Sequence, residues 1–204
     1  MLRWRRMTCA LVVATSAIVV LCRPYAVHSS GILRKAIIAG DNERVVRILQ
    51  HYPGHQVPKV SMVGRSTPDF PALCLAAEVG NMKAIELLLA AGADINERDM
   101  FGNSALHWAA GWPMNNAIAR NRPEVIESLV KHGADVNWVN HDGDTPLHMA
   151  VRADLRVNLE KLVSLGADLK KENRLGHNPR SYAEFLRRRE CVDVLDSVDN
   201  RWPR

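Results

Sequence analysis

The chain has 204 residues and 47% hydrophobic content, with 27 Lys and Arg against 22 Asp and Glu for a net charge of +5. Four of the basic residues (Arg3, Arg5, Arg6 and Arg23) lie before residue 30 and no acidic residue does, so the remainder carries 23 against 22, or +1. A near-neutral remainder removes the electrostatic footing that nucleic-acid binding needs.

At the N-terminus, Arg3, Arg5 and Arg6 precede residues 7–22, which contain no charge, and Arg23-Pro24 follow. A basic start and a short apolar stretch suit a secretory signal peptide, whereas a membrane span wants about 20 apolar residues. Val27-His28-Ser29 places acceptable residues at the −3 and −1 positions of a cleavage site after Ser29. Residues 1–29 are therefore expected to direct export, leaving residues 30–204 as the folded domain in a periplasmic or secreted setting. The alternative is an uncleaved anchor that holds the domain outside the cytoplasm. Leu21 occupies the place where a lipid-acceptor motif needs a small residue, which argues against lipidation at Cys22.

Residues 32–39 and 43–50 are expected to form two short helices separated by Gly40-Asp41-Asn42. From Gly40 to the equivalent Gly80 is a step of 40 residues, so the connection over residues 53–68 carries extra length.

From there one phrase recurs near a 33-residue period: Leu73-Cys74-Leu75-Ala76-Ala77, Leu106-His107-Trp108-Ala109-Ala110 and Leu147-His148-Met149-Ala150-Val151. A fainter copy begins at Asn178-Pro179, with Pro179 33 residues after Pro146. A second phrase keeps step: Gly92-Ala93-Asp94-Ile95-Asn96, Gly133-Ala134-Asp135-Val136-Asn137 and Gly166-Ala167-Asp168-Leu169. Fixed self-similarity at this period means stacked supersecondary units. In one unit, Thr145 caps a first helix that opens on Pro146, whose missing N–H costs nothing there. A second helix carries Leu159, Leu162 and Val163, matching Ile126, Leu129 and Val130, and Ile85, Leu88 and Leu89, at the i, i+3, i+4 spacing of one apolar face. Gly92, Gly133 and Gly166 end the second helices in a left-handed residue. The Asn/Asp/Gly segments over residues 96–102 and 137–143 are turns leading to the next unit.

These phrases resemble the ankyrin-repeat family, with Thr145-Pro146-Leu147-His148 as its signature tetrapeptide and Gly133-Ala134-Asp135-Val136-Asn137 as its second hallmark. The resemblance covers residues 31–198 and implies an all-α repeat solenoid of about five helix-turn-helix units with hairpin-like fingers and atypical terminal units. The expected units span residues 31–65, 66–98, 99–139, 140–172 and 173–204. Pro71 and Cys74, Ser104 and Ala105, and Ser181 depart from the signature, each lost cap weakening its helix by about 1 kcal/mol. Unit 3 holds eight extra residues within 111–122, because Leu73 to Leu106 is 33 residues but Gly92 to Gly133 is 41.

Catalytic and metal constellations are not evident, and neither a cofactor nor a metal ion is expected. His107 and His148 recur with the signature phrase, and the resemblance implies that their imidazoles brace the finger backbone; Asp94, Asp135 and Asp168 recur in phase, which marks them as structural. Beyond the leader, Cys74 and Cys191 are separated by three stacked units, roughly 25–30 Å at about 8–10 Å per helix layer. A disulfide needs Cα atoms within about 7 Å, so two free, partly buried thiols are expected.

The resemblance implies a non-enzymatic protein-interaction module; with the N-terminal segment and the charge balance, the expectation is a monomeric, exported adaptor or inhibitor that binds a protein partner and no nucleic acid. The other readings are a membrane-tethered scaffold and an immunity or chaperone-like partner of a secreted enzyme. Its partner would dock on the variable finger positions Met100, Phe101, Asn103, His141, Asp142 and Asp144, and on the first-helix positions Trp112 and Arg152. Met100-Phe101 stands out, because large apolar side chains at a turn tip are enriched in interface cores.

Overall fold

A computed structural model describes residues 23–52, 57, 60, 70–111 and 122–199, with side chains over 31–198 of that set. Each unit is a helix pair: α1 (Arg23–Ala39) with α2 (Asn42–Leu49), α3 (Ala72–Val79) with α4 (Met82–Ala90), α5 (Ala105–Gly111) with α6 (Pro123–Lys131), α7 (Pro146–Arg152) with α8 (Arg156–Ser164), and α9 (Pro179–Phe185) with α10 (Arg189–Asp199). The first helices form an inner layer in which α1, α3, α5, α7 and α9 stack in order. The second helices form an outer layer, with α2 on α4, α6 on α8 and α8 on α10. This is the all-α repeat solenoid that the period implies. No β-strand occurs among the described residues apart from a single antiparallel bridge between Val60 and Phe70.

The apolar registers account for the layering. Leu73, Leu106 and Leu147 of the inner helices are fully buried, and so are Ile85, Leu88, Ile126, Leu129, Leu159 and Leu162 of the outer ones. Burying one such side chain contributes about 1.5–3 kcal/mol. The small residues Ala76, Ala77, Ala109, Ala110 and Ala150 are buried along the same inner face and let neighbouring helices approach closely. Gly92, Gly133 and Gly166 have φ of 89, 94 and 90°, the left-handed exits anticipated for the outer helices.

One local outcome differs from the sequence reading. Helix α1 starts at Arg23 rather than near residue 32, so its first turns extend back across Ser29. Pro24 falls in the first turn, where a missing N–H is harmless, and no helix-breaking residue follows before Gly31. Beyond the expected cleavage point, α1 buries Leu33, Ala36 and Ile37. At the C-terminal end, Arg187 and Arg189 are exposed, whereas Arg188 is only half-exposed. Its guanidinium lies 3.5 Å from Asp154 and donates to the Arg152 carbonyl at 3.3 Å.

The thiols are more deeply buried than expected. Cys74 and Cys191 are free and buried. Burial pushes the Cys74 thiol well above its usual range and the Cys191 thiol up to about 12.

The finger ladder as a candidate binding surface

The fingers connect each outer helix to the next inner one. Each begins with an Asx turn: Asp94, Asp135 and Asp168 accept from the backbone N–H two residues on, at 2.9, 2.8 and 2.8 Å. Each then closes around one buried Asp or Asn. Asp99 accepts from the N–H groups of Phe101 and Asn103, both at 2.8 Å. Asn140 accepts from Asp142 and Asp144 at 2.9 and 3.0 Å. Asn173 accepts from Leu175 and His177 at 3.0 and 3.1 Å.

Side chains then tie finger to finger. Asn140 Nδ2 donates to Asn103 Oδ1 at 2.9 Å, and Asn173 Nδ2 donates to Asp144 Oδ1 at 2.8 Å. Backbone bonds run parallel to them, from His141 N–H to the Phe101 carbonyl and from Arg174 N–H to the Asp142 carbonyl, each 2.9 Å. The turn tips need glycine. Gly102 has φ +80° and lies so close to the His141 ring that a Cβ there would fall 2.7 Å from its Cδ2.

The signature histidines brace this ladder from below. His107 Nδ1 accepts from Ser104 Oγ at 3.0 Å and from Ser104 N–H at 3.3 Å, which leaves Nε2–H to donate to the Asp144 carbonyl at 3.1 Å. His148 repeats the pattern, accepting from Thr145 Oγ1 at 2.9 Å and donating to the His177 carbonyl at 3.0 Å. Both rings must stay neutral to accept at Nδ1. Burial holds His107 down at about 4 and also lowers His148, with the accepting carbonyl opposing the shift in each case.

The departures in unit 2 are matched to one another. Pro71 has neither N–H nor hydroxyl, so an imidazole at residue 74 would have an unpartnered Nδ1. Cys74 needs no such partner, and its thiol sits 4.0 Å from the Asn103 carbonyl that a histidine would have braced. In unit 5, Asn178 replaces the capping threonine and accepts from Ser181 N–H at 2.9 Å. No further finger within this chain's described residues follows unit 5, and Ser181 needs no brace.

This geometry divides the residues expected to meet a partner. Met100 and Phe101 project at the tip of the unit 3 finger with 52% and 40% of their surface exposed. His141 and Asp142 are exposed at the next tip. Asn103 and Asp144, by contrast, are buried and committed to the ladder, so they hold the fingers in place instead of offering a face to a partner. Arg152 is half-buried, 4.0 Å from Asp144. Trp112 and the rest of the insertion over residues 112–121 lie outside the described residues.

The sequence reading also passed over exposed apolar residues. Leu175, 70% exposed, stands in the register of Phe101, as Asn173-Arg174-Leu175-Gly176 beside Asp99-Met100-Phe101-Gly102 could have shown. Phe185, 62% exposed, occupies the α9 position that Arg152 has in α7 and stacks on His177 at 5.1 Å. Trp108 belongs to the framework: its Nε1 donates to Asp99 at 3.1 Å and its ring meets Phe70 edge-on at 5.0 Å. Trp138 lies half-buried beneath the Arg98 guanidinium at 4.7 Å. Among the described residues no cluster of His, Cys, Asp and Glu is arranged to hold a metal, and no helix is long and apolar enough to cross a membrane.

Comparison with known proteins agrees with the geometry. Residues 73–112 and 114–159 match the family model of ankyrin repeats (many copies). The chain is 32% identical over 131 residues to the ankyrin repeat protein FPV031 of Fowlpox virus (strain NVSL), an alignment covering 61% of this chain and 36% of the viral one. It is 30% identical over 142 residues to the B-cell lymphoma 3 protein homolog of Mus musculus, covering 70% of this chain and 30% of that protein. It is 33% identical over 108 residues to protein phosphatase 1 regulatory subunit 27 of Homo sapiens, covering 52% and 60%. The chain thus spans about a third of the first two relatives and less than two thirds of the third. It carries ankyrin repeats, a module of protein–protein interaction.

Proposed function

We propose that this ankyrin-repeat chain is an exported, non-enzymatic adaptor or inhibitor that binds a protein partner through the tips of its fingers and the adjoining inner helices. The observation that carries the reading is the pairing of a pinned base with wet apolar tips. Met100 and Phe101 stay exposed while the backbone beneath them is fixed by Asp99, Asn103 and Asn140. A loop already held in shape loses little conformational freedom on docking, so contact area is converted to affinity with a small ordering cost. His141 and Asp142 on the next tip supply the polar rim.

Export rests on Arg3, Arg5, Arg6 and the uncharged residues 7–22. Removal of residues 1–29 would shorten α1 from its N-terminal end but leave its buried Leu33, Ala36 and Ile37 in place. N-terminal sequencing of the protein from its native source tests this part, with a first residue at Ser30 expected. An intact N-terminus on membrane-associated protein would favour the tethered scaffold instead.

The binding part is tested by affinity capture with the wild-type chain and a Met100→Ala/Phe101→Ala variant side by side. A partner enriched by the wild type and lost by an equally stable variant is the expected result. Equal recovery on both baits would remove these tips from the interface.

A further inference from the structure

Among the described residues the inner helices of the solenoid pack continuously, whereas the outer helices do not. Helices α3 and α5 pack closely across the junction of units 2 and 3, whereas α4 and α6 scarcely touch among the described residues. The other outer neighbours, α2 with α4, α6 with α8 and α8 with α10, do pack. A junction whose inner helices pack closely while its outer helices scarcely meet has the geometry of a hinge.

Arg122, the residue preceding α6, lies in that opening. Its Nη1 donates to the Ala77 carbonyl near the end of α3 at 3.2 Å. Gly80, at φ +76°, leaves room for it, since a Cβ there would sit 2.9 Å from Arg122 Nε. The backbone of the same residue is held from unit 4. Its N–H donates to Asn158 Oδ1 at 2.6 Å, and Asn158 Nδ2 donates to the Ala109 and Ala110 carbonyls at 3.2 Å each. Asn158 is fully buried at a position where α4 and α6 carry Ala84 and Val125, so it is a specific departure from the apolar register. The guanidinium also faces the half-buried Glu78, and its charge, with that of Arg34, opposes the burial that raises the Glu78 carboxyl.

We propose that Arg122 is a strut that locks a hinge between units 1–2 and units 3–5, its backbone anchored to unit 4 by Asn158 and its guanidinium bracing the end of α3. Stacked repeats couple through neighbouring interfaces, and a unit loosened at one interface opens separately from the rest. With the strut in place the inner-side curvature is fixed; without it, units 1 and 2 open independently. The consequence for partner binding rests on the proposed use of the finger and inner-helix side, but the hinge itself does not.

Hydrogen exchange on the full chain tests the strut without reference to any partner. In Arg122→Ala, amides of residues 72–90 are expected to exchange about 10-fold faster than in the wild type, while those of residues 146–164 stay within about 2-fold. Equal acceleration in both segments would reduce Arg122 to a general contributor to stability and overturn the hinge. Unchanged exchange over residues 72–90 would overturn it as well. Should Arg122→Ala fail to fold, Arg122→Lys keeps charge and stem but loses the Nε–Nη fork over Gly80, and the same regional contrast is expected and the same outcomes refute it.

Discussion

The brace formed by His107 makes folding stability depend on pH in a direction and amount that follow from its surroundings. Its ring accepts from Ser104 through Nδ1 and donates to the Asp144 carbonyl through Nε2, so protonation breaks the Ser104 N–H contact and places a charge in a buried site. Burial sets the folded value at about 4, against about 6.5 for an exposed imidazole. Between those values the unfolded chain binds the extra proton and the folded chain does not, so stability rises with pH across this window. The contribution is fully present above about pH 6.5 and is lost progressively as pH falls toward 4. From pH 7.5 to 5.0 the loss from this one residue comes to about 2 kcal/mol, out of a ceiling of about 3 kcal/mol set by the full separation.

Urea denaturation of the wild type and of His107→Gln at pH 7.5, 6.5 and 5.0 isolates that share. The variant is expected to be less stable at pH 7.5, because the ladder loses its brace. Its stability should then fall with acid by about 2 kcal/mol less than the wild type's. His148, which burial also lowers, adds dependence in the same direction to both proteins and cancels in the comparison apart from its coupling to His107. Parallel pH curves for the two proteins would refute the assignment of a neutral, buried brace to His107.

The matched departure of Pro71 and Cys74 predicts a double-mutant cycle: Cys74→His alone should cost about 1–3 kcal/mol through an unpartnered Nδ1, and Pro71→Thr added to it should restore more than 1 kcal/mol. Independent, additive effects in thermal unfolding would count against the pairing. Arg187 holds φ 59° between α9 and α10, at a position where units 1 and 2 have Gly40 and Gly80, so Arg187→Gly should raise stability by about 0.5–1 kcal/mol in the same assay. An unchanged or lowered midpoint would mean that the Arg187 side chain contributes more than its backbone strain costs. Both thiols should resist alkylation in the native state at pH 8 and react on unfolding, because burial keeps them protonated. Rapid native labelling of either would contradict its burial.

Much of this architecture is written in the sequence because a repeat states each rule several times. One copy of Leu147-His148-Met149-Ala150 could belong to many helices; three copies in step with three Gly-Ala-Asp phrases fix the helix pair, its exit and its finger together. The start of α1 is less legible, since nothing between Pro24 and Gly31 breaks a helix while the targeting pattern points to a boundary at Ser29. Within the fingers, variability was a poor guide to exposure. Asn103 and Asp144 vary in type yet are buried, because each is the partner of the Asn in the following finger, and that pairing is lateral rather than sequential. Asn158 was missed for a related reason: a lone polar residue on an apolar helical face shows its purpose only when Ala109, Ala110 and Arg122 are seen around it.

The division between buried ladder and exposed tip also sets the expected size of a binding effect. A Met or Phe side chain that is about half exposed presents roughly 80–100 Å² to solvent, which at about 25 cal/mol per Å² amounts to roughly 2 kcal/mol each if a partner covers it. Burying both would supply about 4 kcal/mol before ordering costs, and the finger beneath is held by Asp99, Asn103 and Asn140 before any partner arrives. Truncating both tips to alanine should therefore weaken binding by more than about 2 kcal/mol, or more than about 30-fold, while shifting unfolding by less than about 1 kcal/mol. Asn103→Ala should show the opposite balance, because its amide faces Asp99 and Asn140 instead of solvent: a loss of about 1–3 kcal/mol in stability, with affinity falling only as far as the finger loosens. If Asn103→Ala reduced affinity more than the double tip variant did, the partner would be reading the ladder itself, and the tips would be bystanders.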